Sequence, residues 1–301
     1  VLQGRLGHAR VAILTIIDDE MSAVLDAFGA TLEIEGTGCW TEPLTPGSEG
    51  KTYPFVVSQC TDRSNMPSLE STSELVEDWR PEYVILVGIA GAIARIDTAG
   101  ALTGLVPGDV VCIDYVHYGE YVKIDQGEKY RRYYAVAHPS TELMSRIVLP
   151  LARTPWSEDL ETKKPNGDVE PPAVQRGEVI ALEFLAGDAS AEEQRTVFGQ
   201  YDHALAVDME SAGVARAMHT ASKSVHYRPS WIGIRGISDR TAATLDAQTA
   251  LNSDNDAERT LWRAYAAGTA AHFARKVVER LLKKPRMPHG ADSGAPGWFP
   301  K

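Results

Sequence analysis

Residues 83–94 (YVILVGIAGAIA) narrow the fold more than any other stretch. They are the longest uninterrupted apolar run once glycine is counted, and they end at Arg95. The run is too short for a membrane-crossing helix, which needs about 20 apolar residues. Its first part, Tyr83 to Ile89, lacks the alternation of a half-exposed strand and reads as a strand buried on both faces. Gly88 and Gly91 are expected where that strand ends. Shorter runs of the same kind alternate with helical patterns along the chain, which is the pattern of an α/β sheet. Arg10 to Ile17 reads as the first strand. Asp18, Asp19 and Glu20 then open a helix to about Phe28, with acids in the first turn where the helix dipole favours them.

Further strands are expected at 55–59, 110–115, 178–186, 204–208 and 231–236, and helices at 69–79, 140–151, 191–199, 209–219 and 257–282. In the last helix Leu261, Tyr265, Phe273, Val277 and Leu281 share one face at multiples of four. Residues 155–176 carry four prolines and many charges and read as a loop inserted within one sheet. The expected organisation is one domain over 10–282, an N-terminal extension at 1–9, and a disordered, Pro- and Gly-rich tail at 283–301.

Charge and cysteine usage restrict the partners. A net charge of −11 argues against nucleic acid or an anionic membrane as partner, since both reward positive surface. A small molecule is expected instead. The three cysteines, Cys39, Cys60 and Cys112, are far apart and odd in number, as in a reducing cytoplasm. The eight histidines form no ligand cluster, so neither a metal nor a cofactor is expected. The first residues do not lead a charged segment into an apolar signal core.

Three segments together resemble the nucleoside phosphorylase and nucleosidase superfamily. They are the first strand ending in Ile17-Asp18-Asp19-Glu20-Met21, the run Val87-Gly88-Ile89-Ala90-Gly91-Ala92, and the pair Asp208-Met209-Glu210-Ser211 with Arg235-Gly236-Ile237-Ser238-Asp239. The chain is similar in type to methylthioadenosine/S-adenosylhomocysteine nucleosidase-like domains of bacterial signalling or defence proteins, which also share Trp262-Arg263-Ala264-Tyr265-Ala266-Ala267. The resemblance covers about residues 10–282. It implies a three-layer α/β/α domain whose central mixed β-sheet is partly barrel-like and flanked by helices. It also implies a homo-oligomer, and such domains occur within larger multidomain proteins.

Breaking an N-glycosidic bond needs a proton for the departing base and negative charge beside the cation-like ribose, and carboxylates supply both. The resemblance makes Asp239, at the expected C-terminal end of a strand, the acid at purine N7. It makes Glu210 the ribose-binding carboxylate, with Met209 on the sugar face, and Glu20 the base that activates water. Implied substrate contacts are Met209, Arg235, Ser238, Ile89, Ala90, Gly91, Asp188 and Ser190. Read singly, Asp239 is equally a turn cap, Asp208 an N-cap, and Glu210 and Glu20 first-turn acids. Gly88 and Gly91 are equally tight packing contacts.

Two departures from the resemblance bear on the substrate. Ile89 stands where relatives carry Ser or Thr, and Ser190 where many nucleosidases carry a ring that stacks on the base. A ring from 115–134 is the expected substitute. Residues 15–22 hold no arginine to grip phosphate, which favours water as nucleophile, although Arg95 is a possible phosphate ligand. Lys123, Lys129, Arg131 and Arg132 either grip a nucleotide's phosphates or form a solvated face. The expected function is hydrolysis of an adenine-type nucleoside or nucleotide, including ATP-like ones. The alternatives are a phosphate-dependent phosphorylase and a non-catalytic nucleotide-sensing module.

Overall fold

The structure, a computed structural model, describes residues 5–46, 52–224 and 226–283. The expected tail beyond Lys283 and the start of the N-terminal extension lie outside the described residues. Side-chain alternation along the first strand sets the layers. In β1 (Val11–Thr15), Val11 and Ile13 join a core with Val24 and Phe28 of α1 (Asp18–Phe28), whereas Ala12 and Leu14 join a second core on the other face. A strand that feeds two cores has no polar side, which is why its sequence shows no alternation. α1 stops at Gly29, whose φ of 63° suits glycine and lets its N–H cap the helix carbonyls.

The chain continues through β2 (Leu32–Ile34), β3 (Cys39–Thr41) and β4 (Phe55–Gln59) to α2 (Asn65–Trp79). α2 begins four residues before the expected start at Leu69, because Pro67 falls in the first turn, where no N–H is needed. β5 (Tyr83–Ile96) follows, then β6 (Leu102–Thr103), β7 (Val110–Tyr118) and the hairpin of β8 (Val122–Asp125) and β9 (Glu128–Arg131). α3 (Thr141–Leu143) runs through a π turn at Met144–Val148 into α4 (Leu149–Ala152), just ahead of Pro150, which has no N–H to donate. β10 (Val174–Ala181), α5 (Glu192–Gln200), β11 (Ala204–Asp208), α6 (Ser211–Ala221), β12 (Ser230–Ala242), α7 (Leu245–Leu251) and α8 (Asn255–Lys283) complete the order.

The sheet order is β11-β10-β7-β12-β5-β1-β4-β3-β2, and β11 also pairs antiparallel with β5, so five of the strands close into a ring. β1 runs parallel to β4 and β5, and β12 is parallel to β5 but antiparallel to β7, so the sheet is mixed. α1 and α8 cover one face, and α2 and α6 pack together over the other. The architecture is therefore the expected three-layer α/β/α fold with a barrel-like centre.

Three strand expectations need correction. Gly88 and Gly91 do not end β5, which runs on to Ile96 so that its second half can serve the ring. β12 likewise continues past Gly236 to Ala242. The strand expected at 178–186 lies at Val174–Ala181, because its first residues pair with β7, and 182–186 form a loop beyond its end. Cys39, Cys60 and Cys112 are buried and unpaired. No helix among the described residues is long and apolar enough to cross a membrane.

Candidate active site

The end of β1, the middle of β5, the β11–α6 turn and the middle of β12 meet at one cavity of about 320 Å³. That volume is within the range of small-molecule sites. Glu20 stands in the first turn of α1, and its carboxylate is buried where two strands meet. One oxygen accepts the Ile16 and Ile17 N–H groups at 2.7 and 3.2 Å, and the other accepts the Ile89 N–H of β5 at 2.8 Å. Burial raises its pKa, while Arg235 and the three N–H donors pull the other way. A carboxylate has about four acceptor positions, so one remains for the cavity that Glu20 lines.

Gly88 makes this approach possible. A Cβ there would lie 2.3 Å from Arg235 Nη1 and 2.4 Å from Glu20 Oε1. Arg235 is opposite Gly88 in the β12–β5 register and is wholly buried. Its Nε and Nη2 reach Asp208 Oδ2 at 3.1 and 2.9 Å, and Nη2 also reaches Glu210 Oε2 at 3.2 Å. Its Nη1 has no partner. Burial works to lower the arginine pKa, but Asp208, Glu210 and Glu20 outweigh it and hold the guanidinium charged. Arg235 therefore does not reach the cavity as the expected substrate contact. It lies behind the carboxylates and supplies their counter-charge.

Asp208 does two things. Its Oδ2 takes the Arg235 fork, and its Oδ1 accepts the Ser211 N–H at 3.2 Å and Ser211 Oγ–H at 2.8 Å, which fixes the β11–α6 turn. That turn presents Met209 and Glu210 to the cavity. Glu210 accepts the Ser64 N–H at 3.3 Å. Burial pushes its pKa up to about 7 against the pull of Arg235, with Asp208 and Glu20 adding to the rise.

Asp239 is not at a strand end. It follows a bulge in β12, where Ile237 pairs with Ala90 and Asp239 with Gly91, leaving Ser238 as the extra residue. Its carboxylate accepts from Ser238 Oγ at 2.5 Å, Asn255 Nδ2 at 2.6 Å, and Arg259 Nε and Nη2 at 3.1 and 3.2 Å. Ile89, Ala90, Gly91 and Ser238 line the same cavity.

Other expectations do not converge here. Asp188 and Ser190 are away from the cavity wall and bond one another, with Ser190 N–H and Oγ–H donating to Asp188 at 2.8 and 2.7 Å. The rings of 115–134 pack elsewhere: Tyr115 stacks on His138 at 3.8 Å between centroids, and Tyr118 and Tyr121 meet Tyr134. The ring in the cavity wall is Phe184, from the loop at 182–186 that follows β10. Arg95 ties down backbone, donating to the carbonyls of Ala204 and Tyr201 at 2.7 and 3.0 Å. The Lys123–Arg132 cations sit on or beside the β8–β9 hairpin, outside the cavity wall. Sequence reasoning missed Arg63, Arg259, Thr260 and Arg263, which line the cavity. The spacing of 256, 259, 260 and 263 on one helical face was the available signal for three of them.

The phosphorylase superfamily model matches residues 56–279. No curated protein matches the chain in sequence. Among solved structures, the chain is similar to the 5′-methylthioadenosine/S-adenosylhomocysteine nucleosidase of Colwellia psychrerythraea in complex with adenine (17% identity, 92% of this chain and 97% of that one, TM-score 0.63). It is similar also to the S-adenosylhomocysteine nucleosidase of Streptococcus pyogenes in complex with 5-methylthiotubericidin (19% identity, 92% and 99%, TM-score 0.63). A third is the futalosine hydrolase of Helicobacter pylori (16% identity, 89% and 97%, TM-score 0.58).

Proposed function

The chain belongs to the phosphorylase superfamily, and from that membership we propose that it is a purine nucleosidase, hydrolysing the N-glycosidic bond of an adenine-type nucleoside or nucleotide. The observation that carries the reading is the convergence of Glu20, Glu210 and Asp239 on one cavity. Departure of a purine leaves positive charge on the ribose, and Glu210, flanked by Met209, stands at the cavity to offset it. Glu20, with a raised pKa and one free acceptor position, takes the proton of the attacking water. Asp239 is the acid that gives the departing base a proton at purine N7, so that the base leaves neutral with the bonding pair. Its acceptor positions are filled by four donors, so a bound base displaces one of them to reach the carboxyl, and Arg259 is one that lines the cavity wall. Phe184 supplies the apolar face against which a purine packs.

Water is favoured over phosphate as nucleophile because the cation nearest Glu20, Arg235, is buried and has two of its three nitrogens on Asp208 and Glu210. The test is release of free adenine from adenosine, methylthioadenosine, AMP and ATP, with and without phosphate. Release in phosphate-free buffer, abolished in Glu20→Gln, is the expected result. Strict phosphate dependence with ribose 1-phosphate as product would identify a phosphorylase, and no release from any purine substrate would sink the enzymatic reading.

A further inference from the structure

We propose that the ribose end of this cavity is built for an anionic substrate, a nucleoside carrying 5′-phosphate, and that Arg63 is the residue that recognises it. The proposal rests on the nucleosidase reading above and names its substrate class.

Three guanidiniums line the cavity wall together with the carboxylates. Arg259 is engaged by Asp239 and Asp256, and Arg263 by Asp19 at 2.5 Å. The Arg63 side chain is exposed and has no acidic partner among the described residues. The next residue fixes which end of the cavity Arg63 serves. Ser64 gives its N–H to Glu210, the carboxylate at the ribose, whereas Arg259 marks the base end through Asp239.

The local backbone shows that this placement is imposed. Ser64 has φ 95° and ψ 163°, a conformation L side chains rarely adopt. Two side chains hold it there. Ser64 N–H is on Glu210, and Ser64 Oγ–H donates to Glu183, whose other oxygen accepts from Asn65 Nδ2 and Tyr118 OH, both at 3.0 Å. The segment before α2 is thus strained and clamped with its arginine in the cavity wall.

A 5′-hydroxyl or thioether gives a guanidinium little to bind, whereas a phosphate accepts its fork with charge-assisted bonds. The deeper carboxylates, Glu20, Glu210 and Asp239, oppose an anion, so a phosphate fits at the rim, where Arg63 is exposed and the Arg263 side chain is 45% accessible. A phosphate there has two sources: the substrate's own 5′ group, or inorganic phosphate acting as nucleophile. The attacking group belongs beside Glu20. Arg63 instead adjoins the residue that bonds Glu210, so we assign it the 5′ group.

The test follows base release from adenosine, AMP and ATP by the wild type and by Arg63→Ala, Arg63→Lys and Arg63→Glu, each first checked for cooperative unfolding. The readout is the ratio of kcat/KM for nucleotide over nucleoside. It should fall about tenfold to a hundredfold in Arg63→Ala, mainly through KM, fall further in Arg63→Glu, and be partly restored in Arg63→Lys. In the wild type, rising salt should raise KM for AMP and leave that for adenosine alone. An unchanged ratio in Arg63→Ala, or a salt-independent KM for AMP, overturns the proposal. Inorganic phosphate should compete with AMP. If it instead accelerates adenosine cleavage in an Arg63-dependent way, Arg63 serves the nucleophile and the assignment fails. If the wild type releases no base at all, the nucleosidase reading falls separately. Calorimetric affinities of AMP and adenosine then supply the same ratio, and an Arg63-independent value overturns the proposal.

Discussion

Glu210→Gln should make the protein more stable at alkaline pH while it removes the carboxylate proposed to face the ribose. Burial lifts the Glu210 pKa from 4.5 to about 7. The folded chain therefore keeps a proton on this group that the unfolded chain releases near 4.5. Its stabilising contribution is complete below about pH 4.5 and is lost as the pH rises through about 7. At ~1.4 kcal/mol per tenfold change in acidity, the interval from 4.5 to about 7 corresponds to about 3 kcal/mol. Glutamine behaves as the neutral form at every pH. It keeps an oxygen for Arg235 Nη2 but turns its amide toward the Ser64 N–H, forfeiting that bond at a cost of about 1 kcal/mol. The variant should be about as stable as wild type at pH 5, where the unfolded chain has already begun to release the proton, and more stable by about 2 kcal/mol at pH 8. Urea unfolding of both proteins from pH 5 to pH 8 measures the difference directly. A difference that stays constant with pH, or that moves in favour of wild type as pH rises, refutes the reasoning. Confirmation would show a functional carboxylate retained at the expense of stability.

Three further outcomes follow from the same cluster. Arg235→Met removes the counter-charge of Asp208, Glu210 and Glu20 and should cost about 3–5 kcal/mol at pH 8. The loss should shrink toward pH 5 as Glu210 and Glu20, whose pKa values burial raises, take up protons, which thermal unfolding across pH will register. Gly88→Ala places a methyl group 2.4 Å from Glu20 Oε1, so Glu20 must leave its three N–H donors. Base release should fall by at least about a hundredfold, and retention of wild-type kcat would mean that Glu20 has no role in the reaction. Phe184→Ala should raise KM about tenfold, the order of a lost base–aromatic contact, with a smaller effect on kcat; initial-rate kinetics distinguish the two.

Much of this arrangement is legible in one dimension because its physical causes are local. The unbroken apolar runs at 11–15 and 83–89 report strands covered on both faces, and the acids at 18–20 report a helix start. The three carboxylates were found through the motifs around them. The pairing behind them is not legible, because Asp208 and Arg235, though both stand in those motifs, meet across strands whose arrangement no local pattern encodes. Gly88 looked like a strand terminator for the same reason: what demands glycine there is the approach of Glu20 and Arg235, from distant parts of the chain. Strand lengths were underestimated where β5 and β12 run on into the ring, since glycine and polar residues there resemble strand ends. Phe184 was hidden inside an expected strand. Arg63 carried no signal, because its placement depends on a strained Ser64 and a carboxylate far along the chain.

The ring closure also governs the order in which this protein can acquire function. Gly91 is paired on one side with Asp239 and on the other with Val207, so the contact that closes the ring runs through the wall of the candidate cavity itself. The residues joined there are more than a hundred positions apart, and bringing such distant strands together is the slow part of folding. A chain with β1, β4 and β5 already assembled has Glu20 near its strand partner but neither Glu210 nor Asp239 in place. During refolding, base-releasing activity should therefore return only with the last kinetic phase. A nascent chain whose ribosome has not yet released β12 would carry much of the finished sheet and no competent site.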